Sequence, residues 1–162
     1  MRVACVVVLW ALVGCTTPDG TIDNTHDACA PLQLRADGAS AAQEAGIAGA
    51  IALWHDHGAA RLGTADGPAV EIRFRSAAPA FHGVYDDEAA VIYINTDVAD
   101  PEMLAIVIAH EVGHALGLPH VNDARSVMIP GNTTVPPGAD DAAALATLWG
   151  DCTTFFAARP GS

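Results

Sequence analysis

The chain has 162 residues, enough for one domain with a sizeable core and little more. Seven arginines, no lysine and nineteen acidic residues give a formal charge of −12, which argues against a nucleic-acid partner because phosphate binding needs a cationic face. A hydrophobic fraction of 51% and a mean hydropathy of +0.30 exclude a disordered chain, and no apolar run reaches the ~20 residues of a membrane-spanning helix.

Met1-Arg2 supplies a positive start, and Val3 to Gly14 is free of charge, the pattern of a secretory signal that is too short to span a bilayer. Its end, Leu12-Val13-Gly14-Cys15, resembles a bacterial lipobox, in which a small residue precedes a cysteine that is lipidated and becomes the mature N-terminus. The resemblance implies a lipoprotein signal over 1–14, lipid attachment at Cys15 and stable anchoring by more than one acyl chain. Thr16 stands where inner-membrane lipoproteins carry Asp, so the expected location is the bacterial cell envelope, at the outer membrane or cell surface. Thr16 to Ala28 is polar, with Pro18 and Gly20, and reads as a tether. The expected organisation is therefore a signal over 1–14, a lipidated N-terminus and tether over 15–30, and a folded domain over 31–162.

Cys5 would leave with the signal, and Cys15 would carry the lipid. Cys29 and Cys152 remain, one near each end of the domain, and an even remainder in an oxidising compartment predicts a disulfide between them. It would close a loop on the order of 120 residues, worth about 4–5 kcal/mol in the chain-entropy account.

Ser40-Ala41-Ala42-Gln43 has the form of a capping box and leads into Ile47, Ala50, Ile51 and Trp54 at helical spacing, with His57-Gly58 as the stop. Val70 to Arg75 alternates apolar and charged residues, the pattern of a half-buried strand. Ala89 to Asn95 is a more apolar strand, and Phe81 to Tyr85 a shorter one between the two. Asp100-Pro101 supplies an N-cap and a proline at the first helical position, opening a helix through Leu116 that stops at Gly117. After a Pro- and Gly-rich loop from Pro130 to Gly138, Asp140 caps a last helix with Leu145, Leu148 and Trp149 on one side. This order predicts an α+β domain.

Residues 110–120 read His110-Glu111-Val112-Gly113-His114-Ala115-Leu116-Gly117-Leu118-Pro119-His120. His110 and His114 lie four apart on the predicted helix, so both imidazoles project from one face and can grip one ion. Gly117, without a Cβ, can turn the chain left-handed and swing His120 back as a third ligand. Three neutral nitrogens leave a fourth tetrahedral position open, as a catalytic rather than structural zinc requires, and Glu111 adjoins the first ligand within reach of a water.

The pattern His-Glu-x-x-His-x-x-Gly-x-x-His resembles the signature of the metzincin zinc endopeptidases. Ser126-Val127-Met128-Ile129-Pro130 is similar to the metzincin Met-turn, with Met128 as the floor of the site. Asp140 to Gly150 resembles the closing helix of matrixins, the matrix-metalloproteinase branch. The resemblance implies a small mixed twisted sheet with an active-site helix and a C-terminal helix. It also implies one catalytic zinc on His110, His114 and His120, and Glu111 as general base in peptide-bond hydrolysis. The substrate would be an extended polypeptide lying along an edge strand within 80–86.

Departures from the pattern narrow these expectations. Val121 follows the third histidine where matrixins often have Ser, and no Tyr stands two positions after Met128, unlike astacins and serralysins. A loop for structural zinc and calcium is not recognisable between 76 and 96, where His82 and the Asp86-Asp87-Glu88 run are the only candidates. That run reads as a solvated loop, so calcium is left open, and His55 and His57 read as solvated side chains. Cys29 could instead latch the zinc as a thiolate, but its surroundings do not resemble the inhibitory motif of the family. The expected partners are a polypeptide substrate and, through the lipid, a membrane. The chain is expected to act as a monomer without nucleic acid. The alternative from another class is a lapsed metzincin fold used as a surface binding module, against which retention of Glu111 speaks.

Overall fold

The computed structural model describes Ile22 and residues 24–152. The expected signal over 1–14, Cys15, and residues 16–21 and 23 of the expected tether lie outside the described residues. Seven elements follow one another: β1 (Gln33–Arg35), α1 (Ala41–His55), β2 (Ala69–Arg75), β3 (Gly83–Asp86), β4 (Val91–Asn95), α2 (Pro101–Ala115) and α3 (Ala139–Trp149). The α+β class with a small mixed sheet is borne out. No helix among the described residues is long and apolar enough to cross a membrane.

The four strands lie in the order β1-β2-β4-β3, with β1, β2 and β4 parallel and β3 antiparallel to β4. The alternation in β2 sends Val70 and Ile72 into the core, and β4 buries Ile92 and Ile94 beside them. β1 is an addition to the sequence reading: three residues, two of them polar, carry too little pattern to announce a strand that exists by pairing Gln33–Arg35 with Ala69–Glu71.

Helix α1 begins where the capping box predicts, with the Ser40 hydroxyl accepting from the Gln43 N–H and the Gln43 side chain accepting from the Ser40 N–H. It lies close against α2 because two of its residues lack side chains. A Cβ on Gly46 would sit 2.6 Å from Leu104 Cγ, and one on Gly49 would sit 2.9 Å from Ala105 Cβ. Trp54, wholly buried, donates its indole N–H to the Ala109 carbonyl at 2.8 Å, tying the end of α1 to the middle of α2. Asp100 caps α2 through the Met103 N–H, with Pro101 at its first position.

Four local expectations need correction. Gly138, not Asp140, is the N-cap of α3, because Asp141 reaches back to the Gly138 N–H and starts the helix earlier. Leu148 points outward and is 51% exposed, while Leu145 is buried. His55 and His57 are not simply solvated: their ring nitrogens lie 2.7 Å from the Leu62 and Leu53 carbonyls. Asp87 is buried, and Asp86 accepts from the Ala89 N–H to form the tight turn into β4, so the acidic run is a built turn rather than a loose loop.

A strap precedes β1. Asn24 donates to the Asp87 carbonyl at 2.5 Å and accepts on its own carbonyl from the Tyr85 hydroxyl at 2.7 Å, so it clasps β3. His26 N–H then bonds the Ala115 carbonyl at the end of α2. Cys29 is disulfide-bonded to Cys152, 123 residues on, just past α3.

Candidate metal centre

Helix α2 carries His110 and His114 on one face, and the chain leaves that helix at Gly117 with φ +93°, a conformation that an L side chain resists. The Gly117 and Leu118 N–H groups bond back to His114 and Gly113 carbonyls at 2.9 Å, which closes the turn. His120 is thereby returned over the helix. Its Nε2 lies 3.1 Å from His110 Nε2 and 3.2 Å from His114 Nε2. One atom from each of the three histidines falls within 4.8 Å of the others.

The proton positions follow from the outer partners. His110 Nδ1 lies 2.7 Å from the Val127 carbonyl, and His114 Nδ1 lies 2.8 Å from the Leu118 carbonyl. A carbonyl has no proton to give, so each Nδ1 is the donor and each neutral Nε2 carries a bare lone pair. Both rings are kept neutral: burial lowers the pKa of His110, and burial, then the neighbouring His110 and His120, lowers that of His114 to about 3. His120, at the solvent edge, is also lowered by burial of its ring. A proton on His120 Nε2 can serve only one of these two lone pairs, at 3.1 and 3.2 Å, whereas a cation between the rings would satisfy all three nitrogens. A tetrahedral ion with Zn–N bonds of about 2.0–2.1 Å needs nitrogens about this far apart. The donor set therefore fits zinc, and the carbonyl partners are the outer supports that such ligands ordinarily have.

Beneath the helix, Met128 is 1% exposed and packs against the missing side chain of Gly113, where a Cβ would lie 2.4 Å from its sulfur. The turn that holds Met128 is clamped by Asp141. That buried carboxylate accepts from the Ser126 hydroxyl, from the Val127 N–H at 3.1 Å and from the Gly138 N–H at 2.8 Å. Ser126 Oγ in turn accepts from the Met128 N–H. Asn132, also buried, donates to the Val127 and Val135 carbonyls and accepts from the Thr134 and Val135 N–H groups. The Val127 carbonyl that orients His110 is thus fixed from two sides. The roles of Asp141 and Asn132 were not read from the sequence: the acidic pair at 140–141 was visible, but its partners lie 14 and 15 residues back.

Glu111 is 5% exposed, and its pKa is pushed up to about 8 by burial, against a hydrogen bond from the Tyr85 backbone that lowers it. Neither His82 nor Cys29 joins the histidine cluster, and Cys29 is engaged in the disulfide. A family model described as Matrixin matches residues 41–150, which is 110 of the 162 residues. No curated protein matches the chain.

Proposed function

The chain belongs to the matrixin family, and from that premise we propose that it is a zinc-dependent endopeptidase that hydrolyses extended polypeptides, with Glu111 as general base. The observation that carries this reading is the convergence of three Nε2 atoms, two of them left with bare lone pairs because their Nδ1 protons are committed to carbonyls. Zinc on His110, His114 and His120 supplies Lewis acidity, polarising a scissile carbonyl and lowering the pKa of water towards ~7. Glu111 takes the proton of the attacking water at its carboxylate and returns it to the leaving amine, so the residue acts first as base and then as acid. Its apolar surroundings keep the carboxylate basic enough for the first step, and burial keeps bulk water from competing for the proton.

Substrate would lie along β3. That strand pairs with β4 on one side and has no strand on its other side among the described residues, so its open edge offers a place for an added extended chain. Met128 supplies packing under the ligands and no ligand atom. The lipobox supports membrane anchoring through Cys15 and an exported, envelope location, with the domain working as a monomer. Nothing in the Asp86–Glu88 turn calls for calcium, and the reading requires one zinc alone.

Hydrolysis of a mixed peptide library by the 16–162 fragment, with and without a zinc chelator, tests the proposal. Cleavage that the chelator abolishes and added zinc restores is expected. A fragment that binds one zinc and cuts no peptide would reject it in favour of a binding module.

A further inference from the structure

A buried carboxylate that must take a proton from water at one defined point has to be held in one orientation by what surrounds it. For Glu111 those surroundings include β3, which passes the carboxylate at Gly83. A Cβ on Gly83 would lie 3.0 Å from Glu111 Oε1, 3.1 Å from Glu111 Cγ and 3.1 Å from Ile94 Cδ1. Gly83 is not among the glycines with positive φ, so the backbone does not demand glycine there. What the site demands is the absence of a side chain.

Two residues along the strand, the Tyr85 backbone N–H lies near enough to the Glu111 carboxylate to favour its charged form against burial. The strand that presents both features is firmly held. Gly83 and Tyr85 pair with Ile94 and Ile92, the His82 carbonyl accepts from the Asn95 N–H at 2.9 Å, and the Tyr85 hydroxyl is tied to Asn24. A methyl group at 83 would press on Glu111 Oε1 and Cγ and on Ile94 Cδ1, and with β3 paired along its length these side chains are the parts that would give, by a few tenths of an ångström.

We propose that Gly83 is a positioning residue for the general base: its missing side chain and the Tyr85 N–H form the seat that sets the direction of the Glu111 carboxylate. The inference rests on Glu111 acting as the base. It goes beyond that assignment by making the edge strand, where substrate would lie, also the support of the base.

The test uses Gly83→Ala in the zinc-loaded enzyme and in the metal-free protein. In the loaded enzyme kcat falls about 3- to 10-fold, a fraction of the roughly 100-fold cost of misplacing a reacting group by an ångström, while KM stays within about twofold and zinc per chain is unchanged. In the Glu111→Asp background, where the carboxylate is withdrawn by one methylene, the same substitution costs far less. The chain has two tyrosines, so ¹⁵N-tyrosine labelling gives two backbone amides to follow. In the metal-free protein Gly83→Ala shifts the Tyr85 amide more than that of Tyr93. An unaltered kcat, an equal loss in both backgrounds or an unmoved Tyr85 amide would overturn the proposal. A wild type without peptidase activity would reject the proposed function, and the amide shift would still decide whether the seat exists. If Gly83→Ala does not fold, Glu111→Asp alone decides: the Tyr85 amide shifts as it loses its acceptor, and an unshifted amide overturns the seat.

Discussion

Replacing Asp141 by Ala removes the acceptor shared by the Ser126 hydroxyl and the Val127 and Gly138 N–H groups, all at a residue that is 3% exposed. Hydrogen bonds to a charged group contribute about 1.5–3 kcal/mol each, and donors left buried without partners cost about as much. The three bonds share one carboxylate and are not additive, so a total loss of about 3–5 kcal/mol is expected, comparable to breaking a buried ion pair. For a domain of this size that lowers Tm by about 10–20 °C. The second consequence is chemical: the Val127 carbonyl that fixes the His110 ring loses one of its two anchors, so zinc affinity falls about 10- to 100-fold. Asp141→Asn keeps an acceptor for Ser126 but turns an NH₂ group towards an N–H donor, and should show a smaller loss of both kinds. Thermal unfolding of metal-free and loaded protein measures the first effect, and competition with a chromophoric chelator the second. An Asp141→Ala variant with zinc affinity within about twofold of wild type would refute the coupling from α3 through the Met128 turn to His110.

Gly113→Ala places a Cβ 2.4 Å from the Met128 sulfur and should destabilise the protein by about 1–3 kcal/mol in denaturant titration; a neutral change would mean that the floor is not close-packed. Reducing the Cys29–Cys152 disulfide, which spans 123 residues, should cost about 2–5 kcal/mol, read as a drop in the wild-type urea midpoint on adding a reductant that Cys29→Ala/Cys152→Ala does not show. In the metal-free protein His114 should contribute a loss of stability on acidification, opposed by a gain from Glu111, which is held at about 8 when folded against an ordinary 4.5. His114 is held at about 3 when folded against an ordinary 6.5, so the unfolded chain binds the proton that the folded one refuses. The contribution of His114 is therefore full above pH 6.5 and falls as pH drops below it, by at most about 1.4 kcal/mol per pH unit. Glu111→Gln removes the opposing contribution, so the metal-free variant should show a Tm that falls between about pH 7 and 5, and a flat Tm in that variant would contradict the His114 sign.

The parts legible in the sequence are those whose cause is local. The Ser40–Gln43 box, the Asp100-Pro101 start and the Gly117 stop each act within one helical turn, so α1 and α2 could be placed from the residues alone. The three histidines were equally legible, because spacing of four on a helix plus a glycine turn dictates their convergence. What escaped depends on contacts distant in sequence. β1 exists through pairing with β2, the Asp141 clamp reaches back to Ser126 and Val127, and Asn24 clasps a strand 61 to 63 residues away. Gly83 gives no signal of its own in the sequence, since its significance is a carboxylate from another element lying against it.

The most direct measurement compares wild type with Glu111→Ala for peptide hydrolysis while zinc per chain is counted by native mass spectrometry on the same samples. One zinc in each protein, with chelator-sensitive cleavage in the wild type and none in the variant, is the predicted result. A folded wild type that holds no zinc, or a Glu111→Ala variant that cleaves as fast as wild type, would contradict the account.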